Sequence, residues 1–309
     1  MYPFNHKKGQ TIKTDADGVS ADRAFLAHYP IVNAAAADTD GIHAAVTLGA
    51  AAQEIITGIS NPAVPRNATI TGNVSGITGT VTVTGLNHSG EEITEDIASS
   101  GSSTVSGAKA FKTITQVDLP ARTHVPAYQT ETIEVTHGCS TSGDITVAVT
   151  STALGDDSPA SVTVALTTAE DTVTEVAAAV VAELNANETI SAKFTASNAS
   201  GIITLTANDY AANDETLAIA FTVASTGVTV GSTTNGTAGV AEDKISVGYG
   251  NSFGIPYLLE ADEQVILKLF NKSADTGTVT PDADEIEKNV IALNGTPDGT
   301  KDIDLYIVV

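Results

Sequence analysis

Short runs in which Thr alternates with Val, Ile or Ala recur along most of this chain, and that period of two restricts what it can fold into. Thr80-Val81-Thr82-Val83-Thr84 is the clearest run, and Asp144 to Thr150 and Ser161 to Leu166 repeat it. Residues two apart share one face of a strand, so the apolar set lines a core while the Thr set meets water. β-Branched side chains also suit the pleated backbone. Gly, Asn and Asp punctuate the runs at a spacing of roughly 12 residues, which marks an all-β chain. Aromatic residues are 5% of the chain and Trp is absent, so the cores rest on Val, Ile, Leu and Ala. Such thin cores suit sandwiches better than a large α/β enzyme. A length of 309 residues leaves room for two ordinary domains.

The alternation is not continuous. Residues 1–60 are Ala-rich, carry the turns Asp15-Ala16-Asp17-Gly18 and Asp38-Thr39-Asp40-Gly41, and read as an extended N-terminal arm with a short helix or strand around His43 to Leu48. Strands follow over Asn67 to Thr71 and Gly79 to Gly85, a hairpin turned by Gly72 to Gly76, then over Glu91 to Ala98 and Ala110 to Asp118. From Glu131 a different module begins: three strands, one helix and three more strands. Thr168 to Asp171 resembles a capping box, and Val173, Val176, Ala177, Val180, Val181 and Leu184 form one apolar stripe at helical spacing. Thr226 to Gly239 reads as a hinge. Strands resume over Asp243 to Val247, Glu263 to Phe270, Lys288 to Leu293 and Ile303 to Val309. The fold class is therefore mainly β. A β-sandwich or barrel-like platform (61–130 with 240–309) carries an inserted acidic α+β domain (131–239) and the arm (1–60). Three domains in series remain an alternative.

Net charge is −23, from 37 acidic and 14 basic residues. A field of that sign repels phosphate backbones and anionic lipid, so neither nucleic acid nor a membrane is expected as a partner. Glu131 to Val240 holds 13 acids and one base, Lys193, whereas the remainder holds 24 acids and 13 bases. The start is locally basic, with Lys7, Lys8, Lys13 and Arg23 against Asp15, Asp17 and Asp22. No apolar run follows Lys7-Lys8, so no secretory signal is expected, and no run approaches the roughly 18 apolar residues of a membrane helix. A cytoplasmic site of synthesis follows as the expectation.

Residues able to do chemistry are sparse. A single cysteine, Cys139, excludes an intrachain disulfide and a Cys-based metal cluster. His6, His28, His43, His88, His124 and His137 show no metal-binding spacing and read as surface or core-filling groups. The acidic pairs Asp15/Asp17 and Asp38/Asp40 lack the Glu at the twelfth position of a calcium loop, where Leu26 and Gly49 stand. Turn formation explains them. No nucleophile elbow, phosphate loop or zinc-protease motif occurs. The expectation is a non-enzyme with no catalytic residues, no cofactor and no metal.

Two groups of segments carry a resemblance. Pro65 to Gly72, Gly79 to Gly85, Gly90 to Glu95 and Lys109 to Ile114, continued by Ile245 to Tyr257, Asn289 to Asn294 and Gly299 to Val309, resemble a pattern recurrent in tailed-bacteriophage virion proteins. Thr163 to Glu183 with Ala211 to Asp214 is similar to a module of phage structural proteins. The resemblance implies a head decoration or cement protein on the capsid surface. Its partners would be the major capsid protein and further copies of itself, as a trimer. Tyr2, Phe4, Lys7, Lys8, Phe25, Leu26 and Tyr29 join apolar surface to basic charge and are the candidate capsid contacts. Ordinary self-packing accounts for the same cluster. A tail tube or fibre protein is an alternative. A carbohydrate-binding adhesive sandwich is another, for which Tyr249, Phe253 and Tyr257 are the available aromatics.

Overall fold

The structure, a computed structural model, describes residues 11–13, 20–22, 26–259, 265–269, 277–300 and 302–308. It is mainly β and antiparallel, as the alternation predicts. The chain divides into two compact units, one formed by Met1–Thr123 with Asp243–Val309 and the other by His124–Glu242.

Before the insert come β1 (Thr11–Lys13), β2 (Ser20–Asp22), β3 (Leu26–Ile31), β4 (Asp38–Thr47), β5 (Gln53–Ile55), β6 (Arg66–Gly72), β7 (Thr80–Leu86), β8 (Glu92–Ala98), β9 (Val105–Phe111) and β10 (Thr113–Leu119). The insert holds β11 (Thr130–His137), β12 (Gly143–Thr150), β13 (Ala160–Leu166), α1 (Val173–Ala186), α2 (Glu188–Ser191), β14 (Phe194–Ala199), β15 (Ile202–Ala207), β16 (Ala218–Val223), β17 (Thr229–Val230) and β18 (Thr234–Thr237). After it come β19 (Lys244–Gly254), β20 (Val265–Leu269), β21 (Gly277–Thr280), β22 (Val290–Leu293) and β23 (Ile303–Val308).

In the first unit β21-β22-β19-β6-β9 form one sheet, with β4 also on β19, and β5-β10-β7-β8 form a second. Ile70, Phe111, Ile245 and Val247 of the first sheet meet Val81, Val83, Ile97 and Val117 of the second, which makes a sandwich core. A separate core gathers Phe253 and Ile291 with Ile31, Ile303 and Leu305 of the sheet β20-β23-β3. β19 supplies both cores. Where it passes from one to the other its register on β6 jumps, because Ala68 opposes Tyr249 but Arg66 opposes Phe253. The surplus residues bulge, and Arg66 holds the bulge: Nε donates to the Gly250 carbonyl at 2.7 Å and Nη2 to Asn251 Oδ1 at 3.1 Å. Nη1 donates to the Ala35 carbonyl at 2.9 Å, and the guanidinium carbon lies 4.5 Å from the ring centres of both Tyr249 and Phe253. Arg66 is 2% exposed, and burial pushes its pKa down to about 10, so it stays charged at neutral pH.

Several expectations are corrected here. β6 and β7 do not form a hairpin. Both edges of β6 are already occupied, by β19 and β9, so β7 pairs with β8 and β10 in the facing sheet. The segment read as one strand over Ala110 to Asp118 is two strands, because the chain changes sheets at Lys112, whose N–H reaches the Leu86 carbonyl at 2.8 Å. That crossing needs Gly85, since a Cβ there would collide with the Thr113 carbonyl. Within the span read as an arm, β3 pairs with β23, β4 with β19 and β5 with β10.

In the insert, β14-β15-β11 continues to β17 and β18, and β13-β12-β16 forms a second sheet. Thr226 to Gly239 is thus not a hinge but the source of two short strands on β11, which leave fewer of its backbone groups unpaired. Helix α1 buries Val176, Ala177, Val180 and Leu184 against both sheets, each large aliphatic contributing about 1.5–3 kcal/mol. Its cap is Thr172 with Glu175, not Thr168 with Asp171. The longer Glu175 carboxylate reaches back to the Thr172 N–H at 3.1 Å, completing a reciprocal box.

Replacing Arg66 by Met keeps the bulk but leaves the Gly250 and Ala35 carbonyls without their donor and removes the cation from the Tyr249 and Phe253 rings. The first unit should lose about 3 kcal/mol in urea unfolding, with the insert's transition unmoved.

Candidate functional site

Of the candidate contact residues, Tyr2, Phe4, Lys7, Lys8 and Phe25 lie outside the described residues. Leu26 and Tyr29 sit on β3, opposite Val308 and Leu305 of β23. Tyr29 is half-buried, packed against the second core of its unit. Its hydroxyl is 3.1 Å from His88 Nε2, and the two rings meet edge-on at 5.8 Å. Burial, and then the charge of Lys112, push the His88 pKa down and favour a neutral imidazole that accepts from the Tyr29 hydroxyl. Burial followed by Tyr257 pushes Tyr29 up. On the neighbouring position His28 Nε2 donates to the buried Asp304 carboxylate at 2.6 Å. The strand carrying the candidate contacts is therefore fixed by side chains as well as by its ladder.

The aromatic trio does not form an exposed platform. Phe253 is fully buried, Tyr257 packs on the same core, and Tyr249 lies against Arg66 at the bulge. The exposed aromatics are elsewhere. Tyr128 and Tyr210 stack in the insert with centroids 4.1 Å apart and 14° between planes, at 41% and 38% exposure. No local signal in the sequence joins residues so far apart.

The first unit also holds a cavity of about 320 Å³ beside the bulge, walled by strands β4, β6, β9, β19 and β22. The acids, by contrast, are spread out. Among the described residues no group of three or more His, Cys, Asp or Glu is placed to hold a metal ion. Asp38 and Asp40 interact, and the hydrogen bond to Asp38, with its charge, pushes the Asp40 pKa up. Glu95 of β8 reaches the backbone N–H groups of Ala108 (2.5 Å) and Lys109 (3.2 Å) in β9. Burial outweighs those bonds and pushes its pKa up.

The insert concentrates charge: His124 to Glu242 contains 14 acids and one base, Lys193. Several of these carboxylates serve as local fasteners. Glu170 accepts from the N–H and hydroxyl of Thr167 at 2.7 and 2.8 Å, which pulls its pKa down. Asp214 is the densest node. One oxygen accepts from Ser151 Oγ (2.8 Å) and Thr152 N (2.7 Å), the other from Thr216 Oγ1 (2.7 Å) and Thr216 N (2.9 Å). Gln129 clasps the Asp214 backbone at both its N–H and its carbonyl. The chain leaves the first unit at Thr123 and returns at Asp243, and the Thr123 N–H donates to the Asp243 carboxylate at 2.7 Å. Both connections to the insert thus start from one point.

No family model, curated protein or solved structure matches the chain.

Burial raises the Asp214 pKa, but the bonds from Thr216, Ser151 and Thr152 outweigh it and hold the carboxyl well below the usual range. A depressed folded value stabilises the fold above the unfolded value of 3.8, and that gain is lost as pH falls through the folded value. Asp214→Asn should therefore cost the insert about 2 kcal/mol at neutral pH, allowing for partial exposure. In urea titrations the gap from wild type should narrow below pH 3.8.

Proposed function

We propose that the protein is a non-enzymatic structural component of a tailed-phage virion, a decoration or cement protein bound to the outer face of the head. The observation that carries this reading is the contrast between the units. A mainly β unit with 13 basic residues outside the acidic segment is joined, at one point, to a compact insert with 14 acids and one base. A body of that charge repels nucleic acid and its own copies and is at lowest energy in solvent. The first unit is then the anchor and the insert the projection. The segments that carry the resemblance support the same division, because Arg66–Gly72, Thr80–Leu86, Lys244–Gly254 and Val290–Leu293 are strands of the first unit.

In this reading the protein, as a trimer, bridges neighbouring capsomers of the major capsid protein. β8 ends its sheet among the described residues, but it carries Glu92, Glu95 and Asp96, charges that discourage edge pairing. The contacts are instead assigned to the N-terminal segment, where Lys7, Lys8, Lys13 and Arg23 accompany Tyr2, Phe4 and Phe25.

Binding to purified empty shells tests this, with the protein lacking residues 1–25, a deletion that stops short of β3. The full chain should co-sediment with shells and the shortened chain should lose most of that binding. Equal binding by both would remove the segment as the anchor, and no binding by the full chain would reject the decoration role.

A further inference from the structure

The insert contains two tyrosines, Tyr128 and Tyr210, and the fold stacks one on the other. Tyr128 lies on the segment that enters the insert just ahead of β11, and Tyr210 on the loop between β15 and β16. Backbone bonds bring these segments together. Ala127 and Val240 exchange both N–H to carbonyl bonds, at 3.1 and 2.9 Å, and the Ala207 N–H donates to the Gln129 carbonyl at 2.8 Å. The Gln129 amide holds the Asp214 N–H and carbonyl at 2.7 and 2.8 Å. Gly239 passes close to both segments, since a Cβ there would meet the Ala211 carbonyl at 2.7 Å and the Gln129 Cβ at 3.1 Å. The stack is therefore held by its flanking backbone while its rings stay within reach of solvent, at 41% and 38% exposure.

We propose that Tyr128 and Tyr210 form an oxidative crosslinking site, which a peroxide acting through a one-electron catalyst converts to a dityrosine bond. Planes 14° apart with centroids 4.1 Å apart put carbons of the two rings in van der Waals contact, so two phenoxyl radicals formed there meet without diffusing. Each phenol gives up one electron and its hydroxyl proton. A C–C bond then forms between one carbon beside each hydroxyl-bearing carbon. The hydrogen on each coupled carbon passes to the oxygen, which restores both phenols. One hydrogen peroxide takes up the two electrons and two protons and leaves as two waters. A hydrogen bond to Tyr210 pushes the Tyr128 pKa up, and the charges of Asp209 and Glu242 act in the same direction. The phenol is thus neutral at rest, with carboxylates near it to accept the proton that oxidation releases. Competing groups are engaged elsewhere: Tyr29 by His88, Tyr249 by Arg66, and the one thiol, Cys139, by burial. The bond ties the entry of the insert to a loop far along its chain, and closing so long a loop restricts the unfolded state. The site belongs to the insert alone and does not depend on the virion reading.

The test oxidises the full chain, in dilute solution, with a peroxidase and hydrogen peroxide, and then digests it with trypsin. Lys193 separates the two tyrosines, so fragments 123–193 and 194–244 carry one tyrosine each, Tyr128 and Tyr210. The two fragments should be recovered as one species, lighter than their sum by two hydrogens and carrying dityrosine fluorescence. The urea midpoint of the insert should rise while that of the first unit stays where it was. Tyr128→Phe and Tyr210→Phe keep a stacked ring but leave no phenol to oxidise, and each should lose both the joined species and the rise. Fragments recovered unjoined, joins formed only between molecules, a joined species that persists in either variant, or a join that leaves the insert's midpoint unmoved would each overturn the proposal.

Discussion

A buried guanidinium sits where the two cores of the first unit meet, and the course of the central strand depends on it. β19 must run in register with β6 over Ile245 to Tyr249 to serve the sandwich core, and must also place Phe253 in the neighbouring core. A regular ladder cannot do both. The bulge at residues 250–252 absorbs the mismatch, and Arg66 bonds the Gly250 carbonyl and the Asn251 side-chain amide there while its guanidinium carbon lies 4.5 Å from the ring centres of both Tyr249 and Phe253. Its N–H groups donate to neutral carbonyls and a side-chain amide. The charge is held by carbonyl dipoles and aromatic quadrupoles, an arrangement that suits Arg and not Lys, because a planar fork can bond at its edge and stack on its faces together.

Close approach of backbones sets the second constraint. At Gly248 a Cβ would strike the Asp38 carbonyl, so β4 can lie on β19 only because no side chain stands there. The same strand therefore needs glycine in its middle, a bulge beyond it and an arginine beneath. The insert solves a different problem. Thirteen of its 14 acids keep contact with solvent while Glu131 is buried, and its loops are held by bonds from Thr and Ser to Asp and Glu that do not draw on basic residues. Thr-rich strands serve both ends: methyl groups fill thin cores, and hydroxyls fasten turns and caps.

Much of the fold was legible because strands and helix α1 are local. The alternation in Thr80 to Thr84 and the apolar stripe from Val173 to Leu184 report burial directly, and the structure places a strand and a helix there. Pairing is not local. Nothing in Gly72 to Gly76 says that both edges of β6 are taken by strands drawn from Lys244–Gly254 and Val105–Phe111, so the local pattern points to a hairpin that the structure does not form. The helix cap failed for another reason: Thr168-x-x-Asp171 and Thr172-x-x-Glu175 both fit the pattern, and only the reach of Glu175 back to Thr172 decides between them. The candidate sites were the least legible. Asp38, Thr69, Ser106 and Tyr249 are unremarkable one by one and meet only after four strands have paired. Arg66 stood inside a recognisable segment without any sign of its role. Tyr29, picked out for its apolar surface, spends that surface on its own core and on His88.

The proposed role puts the first unit on a capsid and the acidic insert in solvent, and imaging the intact virion by electron cryomicroscopy tests that most directly. It predicts density for both units on the outer face of the head, at three-fold or quasi-three-fold positions, with the platform against the shell and the insert outermost. Density for this chain along the tail, or its absence from the particle, would contradict the account.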